Sequence, residues 1–70
     1  MEVKPSEIKE NDIITVIYKD YNKQLGRLIR ARVLAVKKDY FEVEEKTDKF
    51  PFPMIHAVYK KDIIMLNRLG

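Results

Sequence analysis

The feature that most narrows the fold is a period of two in the apolar residues. In Ile29-Arg30-Ala31-Arg32-Val33-Leu34-Ala35 every odd position is apolar, and two arginines stand between them. An extended strand turns that spacing into one apolar face, whereas a helix would scatter the same residues around its axis. β-branched and aromatic side chains fill the alternating stretches, which also favours strands. Five are predicted, over residues 13–18, 26–37, 40–46, 50 to about 59, and 63–68. The first, Ile13-Ile14-Thr15-Val16-Ile17-Tyr18, is apolar on both faces and belongs in the middle of the sheet. Small alanines let the second bend. At most one helical turn is expected, over residues 5–10, where Pro5 can open it, and Asn11-Asp12 favours a turn into the first strand. The main rival is a helix over residues 54–66, suggested by the spacing of Ile55, Val58 and Tyr59, but nothing caps its start.

Register between the second and third strands follows from the same period, because a slip of one residue sends every side chain to the opposite face. A three-residue loop, Lys37-Lys38-Asp39, sets Val36 opposite Tyr40, Ala35 opposite Phe41 and Val33 opposite Val43, with Arg32 facing Glu44 and Leu34 facing Glu42 outside. A two-residue loop would place Ala35 and Val33 against Glu42 and Glu44. The longer loop is therefore expected, with Asp39 at its last position, where a positive φ is tolerated. Phe50-Pro51-Phe52-Pro53 adds a second constraint. Prolines two apart remove two N–H donors from one side, so the segment is an edge, a bulge or the seam of an incompletely closed barrel. Phe50 and Phe52 point the other way and are expected to fill core volume.

Five strands with short links, one of them long and bendable, indicate an all-β domain. It is either a small five-stranded SH3-like barrel or a strongly curved antiparallel meander, and closure would hide the edges. Seventy residues accommodate one domain, with core strands over about 13–68. The run Phe50-Pro51-Phe52-Pro53-Met54-Ile55, followed by Val58, Ile63-Ile64 and Arg68, resembles an uncharacterised family of small archaeal domains that carries an Ile-Pro-Tyr-His-Arg-Ile segment. Pro51, Phe52, Ile55 and Val58 fall on that pattern without a gap, and Tyr18, Ile29 and Phe41 align with apolar positions upstream. Pro53 and Met54 stand where the family has His and Arg, and Lys19-Asp20-Tyr21-Asn22 replaces its His-Arg-Gly-Ala segment. The resemblance implies fold and carries over no activity.

Composition bounds the chemistry. With no cysteine there is no disulfide and no thiolate zinc site, which fits a reducing compartment. Apolar runs such as Ile63-Ile64-Met65-Leu66 fall far short of the roughly 20 residues of a membrane span. The charged start Met1-Glu2-Val3-Lys4-Pro5 is unlike a secretory signal, so a cytoplasmic location without membrane association is expected. A 36% charged content with one Gln and one Ser leans toward a thermophilic source. One His, one Ser and no Cys offer no pairing of nucleophile and base, so no catalytic residue and no enzyme is expected. His56 is expected to face solvent or make a structural hydrogen bond. Glu42, Glu44, Glu45 and Asp48 lack a calcium-loop pattern and read as a solvated acidic edge balancing Arg30 and Arg32 across the hairpin. Two glycines form no phosphate loop, so nucleotide hydrolysis is set aside and neither metal nor cofactor is expected.

What remains is charge. The net +3 is the sum of −2 over residues 1–18, +6 over 19–38, −4 over 39–48 and +3 over 49–70. Basic and aromatic residues interleave in Tyr18, Lys19, Tyr21, Lys23, Arg27 and Arg30, with Lys37, Lys38, Tyr40, Lys60 and Lys61 as an extension. Cations neutralise phosphates and tyrosine rings stack on unpaired bases, so a nucleic-acid-binding module with little sequence preference is expected, for RNA more than duplex DNA and as part of a ribonucleoprotein. Tyr18 and Tyr21 are the candidate stacking platforms, and Arg32, neutralised by Glu44, contributes least. Lys-Lys-Asp recurs at 37–39 and 60–62, and its four lysines would form a phosphate-binding rim if both turns shared an end. An ordinary solvated surface would carry the same residues. The alternative from another class is a protein-interaction or subunit module, using the unpaired edge near Phe50-Pro51-Phe52-Pro53 or an apolar patch of Met65, Leu66 and Leu69. Oligomeric state is left open.

Overall fold

Alternation becomes strand at each of the five places. The computed structural model describes the whole chain except Thr47, Asp48, Phe50 and Gly70. Its strands are β1 (Ile13–Lys19), β2 (Leu25–Val36), β3 (Tyr40–Glu45), β4 (Met54–Tyr59) and β5 (Ile63–Arg68), with 3-10 turns at Pro5–Glu7 and Lys60–Asp62. All pair antiparallel in one sheet of order β4-β3-β2-β1-β5. β1 lies between β2 and β5, as its two apolar faces require. Strand, turn and strand occupy the region of the rival helix.

The two marginal strands reveal the curvature. β4 and β5 lie at opposite sides of the sheet order, yet only Lys60–Asp62 joins them. In a flat sheet four interstrand spacings would separate them by about 19 Å. The link from Tyr59 to Ile63 spans at most about 14 Å when fully extended. The sheet must coil, and β2 supplies the bends. Its pairing with β1 jumps from Ile14↔Ala31 to Val16↔Leu28, so Ile29 and Arg30 together oppose Thr15, whose hydroxyl donates to the Ile29 carbonyl. A second irregularity at Leu34 separates Val33↔Val43 from Ala35↔Glu42. Bulges add twist and turn a strand. No ladder joins β4 to β5 among the described residues, so the sheet is a curved meander and not a closed barrel.

These bulges correct two expectations. Period two places Ile29 inside, but the extra residue turns it out, 61% exposed, and Leu28 takes the core position beside Val16. The β2–β3 loop also closes earlier than expected: the Lys37 N–H donates to the Tyr40 carbonyl at 2.9 Å, leaving a two-residue loop of Lys38 and Asp39. Val36 therefore faces Phe41 and Ala35 faces Glu42, while the bulge at Leu34 restores Val33↔Val43 and Arg32↔Glu44. Asp39 keeps a negative φ, since Asn11 and Lys23 are the non-glycine residues with positive φ among those described. A two-residue loop without positive φ twists its strands poorly, and the adjacent bulge supplies the missing twist.

The core is apolar throughout, with Phe41, Ile14, Val16, Val33, Val43 and Val58 fully buried. Cross-strand pairs assemble it: Val33 meets Val43, Phe41 meets Val58, and Leu66 meets Val16. Leu66 is thus core and does not belong to a surface patch. Phe52 moves the other way, 75% exposed in the bend that Pro51 and Pro53 flank, so it adds no core volume. Phe50 lies outside the described residues. The N-terminal segment runs along β5, where Glu2 pairs with Asn67 and the Val3 N–H reaches the Leu66 carbonyl at 3.1 Å. Val3 and Ile8 are buried, and the outer edge of β5 is covered. The β4 edge has no such cover among the described residues.

Candidate nucleic-acid interface

The β1–β2 connection is built by one carboxylate. Asp20 accepts backbone N–H donors from Asn22 and Gln24, both at 2.9 Å. Its own N–H donates to the Gln24 carbonyl at 2.8 Å, and the Lys23 N–H donates back to the Asp20 carbonyl at 2.9 Å. Lys23 adopts φ 61°, the left-handed turn position. With Asp20 committed to the backbone, the turn presents Lys19, Tyr21 and Lys23, all exposed, and Tyr21 reaches 98% exposure. Tyr18 behaves otherwise. Its ring lies against Gly26, where an added Cβ would come within 2.9 Å of Cζ, and it is buried. Burial, and then the nearby Asp20 and Glu45 carboxylates, push its phenol above the ordinary value. Tyr18 is a wall of the core and not an open stacking platform.

Facing this turn is β4. Together they bound a cleft of about 980 Å³, lined on one side by Tyr18, Lys19, Asp20, Tyr21 and Lys23, and on the other by Ile55, His56, Ala57, Tyr59, Lys61 and Asp62. Five of the predicted site residues thus come together: Tyr18, Lys19, Tyr21, Lys23 and Lys61. Tyr59 and Ile55, which the sequence reading left out, complete the lining. The signal for Tyr59 was its place immediately before Lys60-Lys61. His56 does not face open solvent. It sits half-buried opposite Val43, its Nε2 3.5 Å from a Glu45 carboxylate oxygen and without a hydrogen-bond partner among the described residues.

The two Lys-Lys-Asp turns do meet. The Lys60 N–H donates to the Asp39 carbonyl at 2.9 Å, which sets Lys37, Lys38, Lys60 and Lys61 around one end. The Lys60 ammonium lies 5.2 Å from the centre of the Phe41 ring, so part of its charge rests on that face. Beside it the Tyr40 and Tyr59 rings pack at 5.2 Å and 36°. A basic track therefore runs from Lys19 and Lys23, across the cleft to Lys61, along the turn to Lys60, and on to the β2–β3 turn. Arg27 and Arg30 stand apart on β2, Arg27 opposite Ile17 and Arg30 in the bulge, and neither lines the cleft.

Pairing separates the cations. Arg32 donates to Glu44 at 2.8 and 3.3 Å, and Arg68 lies 3.8 Å from Asp12. Lys19, Lys23, Arg27, Arg30, Lys37, Lys38, Lys60 and Lys61 form no ion pair with a described carboxylate. Among the described residues no three His, Asp or Glu side chains gather to hold a metal ion, and no helix is long and apolar enough to cross a membrane. Comparison with protein-family models, curated proteins and solved structures finds no match.

Proposed function

We propose that this chain is a small non-catalytic nucleic-acid-binding module that holds the phosphate backbone with little sequence preference. The observation that carries the proposal is a track of lysines converging from three turns, none of them paired with a described carboxylate. Arg32 is already neutralised by Glu44, whereas no described carboxylate pairs with the lysines of the track. Lysines without a carboxylate partner keep their counterions until phosphates displace them. If all six track lysines contact phosphates, the log–log salt slope is about −4 for a single strand, or roughly a 300-fold loss of affinity between 50 and 200 mM salt. The test is fluorescence anisotropy with labelled single-stranded RNA, duplex RNA and duplex DNA at two salt concentrations. A Lys19→Gln/Lys23→Gln/Lys61→Gln variant should bind more weakly and show a shallower slope. Absence of binding to all three probes at low salt would sink the proposal.

A second reading is favoured by β4. Its sequence, Met54-Ile55-His56-Ala57-Val58-Tyr59, carries no Lys, Arg, Asp or Glu, and Met54 and Ile55 are exposed beside Phe52. Edge strands are usually guarded by charge, and an unguarded one pairs readily with a strand from another chain. Association that depends on protein concentration on a sizing column, and is insensitive to salt, would favour this protein-interaction role.

A further inference from the structure

We infer that the cleft between the β1–β2 turn and β4 is a base-stacking site for single-stranded nucleic acid, with Tyr21 and Tyr59 as its stacking faces. The inference rests on the phosphate-binding proposal and adds the form of nucleic acid bound and the residues that select it. Charge inside the cleft is nearly balanced, three lysines against Asp20 and Asp62. A groove built only to grip phosphates would be strongly basic. The remaining track lysines, Lys37, Lys38 and Lys60, lie beyond the cleft, while Tyr21, Ile55, Ala57 and Tyr59 give the cleft itself an aromatic and apolar lining. Such a lining accepts the faces of bases, and a duplex keeps its base faces stacked inside.

Tyr21 contributes nothing to the core, since it is 98% exposed at the tip of a turn already closed by Asp20. Tyr59 is 45% exposed and held by its packing on Tyr40, which leaves it a defined ring with an accessible side. Lys19 and Lys23 flank the first tyrosine, and Lys60 and Lys61 follow the second in sequence. Phosphates on either side of a stacked base thus find a cation, a combination that binds single strands without reading their sequence.

The test compares three fluorescein-labelled probes of equal length: oligo(dT), a phosphodiester oligomer of abasic sites, and a mixed-sequence duplex. Wild-type protein should bind oligo(dT) more tightly than the abasic oligomer and the duplex. Tyr21→Ala should weaken oligo(dT) binding roughly 5- to 150-fold and leave the abasic oligomer unchanged. Tyr21→Phe, which keeps the ring, should restore affinity. Tyr59→Leu is the companion variant, checked for folding by circular dichroism because Tyr59 packs on Tyr40. Equal wild-type affinity for oligo(dT) and the abasic oligomer, or an unchanged Tyr21→Ala, would overturn the stacking site while leaving backbone binding intact. No binding to any probe would overturn both.

Discussion

Replacing Gly26 by alanine tests the packing beneath the cleft. An alanine Cβ would stand 2.9 Å from Cζ, 3.1 Å from Cε1 and 3.2 Å from the hydroxyl oxygen of Tyr18. Carbon atoms settle at about 3.5–4.0 Å, so the ring must retreat by roughly half an ångström or more. It has little room, being 7% exposed within the core. Overpacking of this kind costs about 1–3 kcal/mol, offset by about 0.4–1 kcal/mol because alanine restricts the unfolded chain. Gly26 does not occupy the left-handed region, so backbone strain adds nothing. The net cost is about 1–2 kcal/mol, which lowers the midpoint of thermal unfolding by roughly 5–15 °C in a domain of this size. Urea and thermal denaturation followed by circular dichroism measure it. In a Tyr18→Leu background the obstructing ring atoms are gone, and the same substitution should become neutral or stabilising. A neutral Gly26→Ala in the wild type, or an equal cost in both backgrounds, would refute the contact between glycine and ring.

Three further outcomes are expected. Lys23→Gly relieves a non-glycine residue at φ 61° and should stabilise the domain by a few tenths to about 1 kcal/mol, while oligonucleotide affinity falls; a loss of stability in urea denaturation would contradict the turn geometry. Phe41→Ala empties the largest fully buried position, at about 3–5 kcal/mol against a total of roughly 4–10 kcal/mol for this length, so cooperative unfolding should be lost or shifted to far lower denaturant. The raised pKa of Tyr18 means that folding favours the neutral phenol, so its contribution is fully present below the unfolded value near 10 and is lost as the pH rises through the higher folded value. Ultraviolet titration should show a phenol ionising above the ordinary tyrosine value, and Tyr18→Phe should remove that step and lessen alkaline destabilisation.

Legibility varied from residue to residue for physical reasons. The Arg32–Glu44 pair was readable because the register of the inner residues Val33 and Val43 dictates what stands outside them. Ile29 and Leu28 were not, since a bulge exchanges inside for outside and leaves the composition of the strand unchanged. Phe52 misled because two aromatics on one face resemble core, whereas the prolines around it stop the strand before it starts. Within the site, the lysines were visible as charge. Tyr59 was hidden by distance, being remote in sequence from the turn that faces it.

By itself the sequence determined the period, and hence five strands, an all-β sheet, the interior position of β1 and the existence of a local basic excess. These follow from neighbours along the chain, since alternation and charge density need no knowledge of what lies opposite. Tertiary structure decided how far the sheet coils, where its bulges fall, and that the turns at 37–39 and 60–62 touch. It also decided that Tyr18 is buried while Tyr21 stands free, and that the β1–β2 turn and β4 enclose one cleft. Each of these depends on contacts between residues remote in sequence, such as the three-residue link that draws β4 toward β5 and the Tyr18 ring packed on Gly26, which only the assembled sheet brings about.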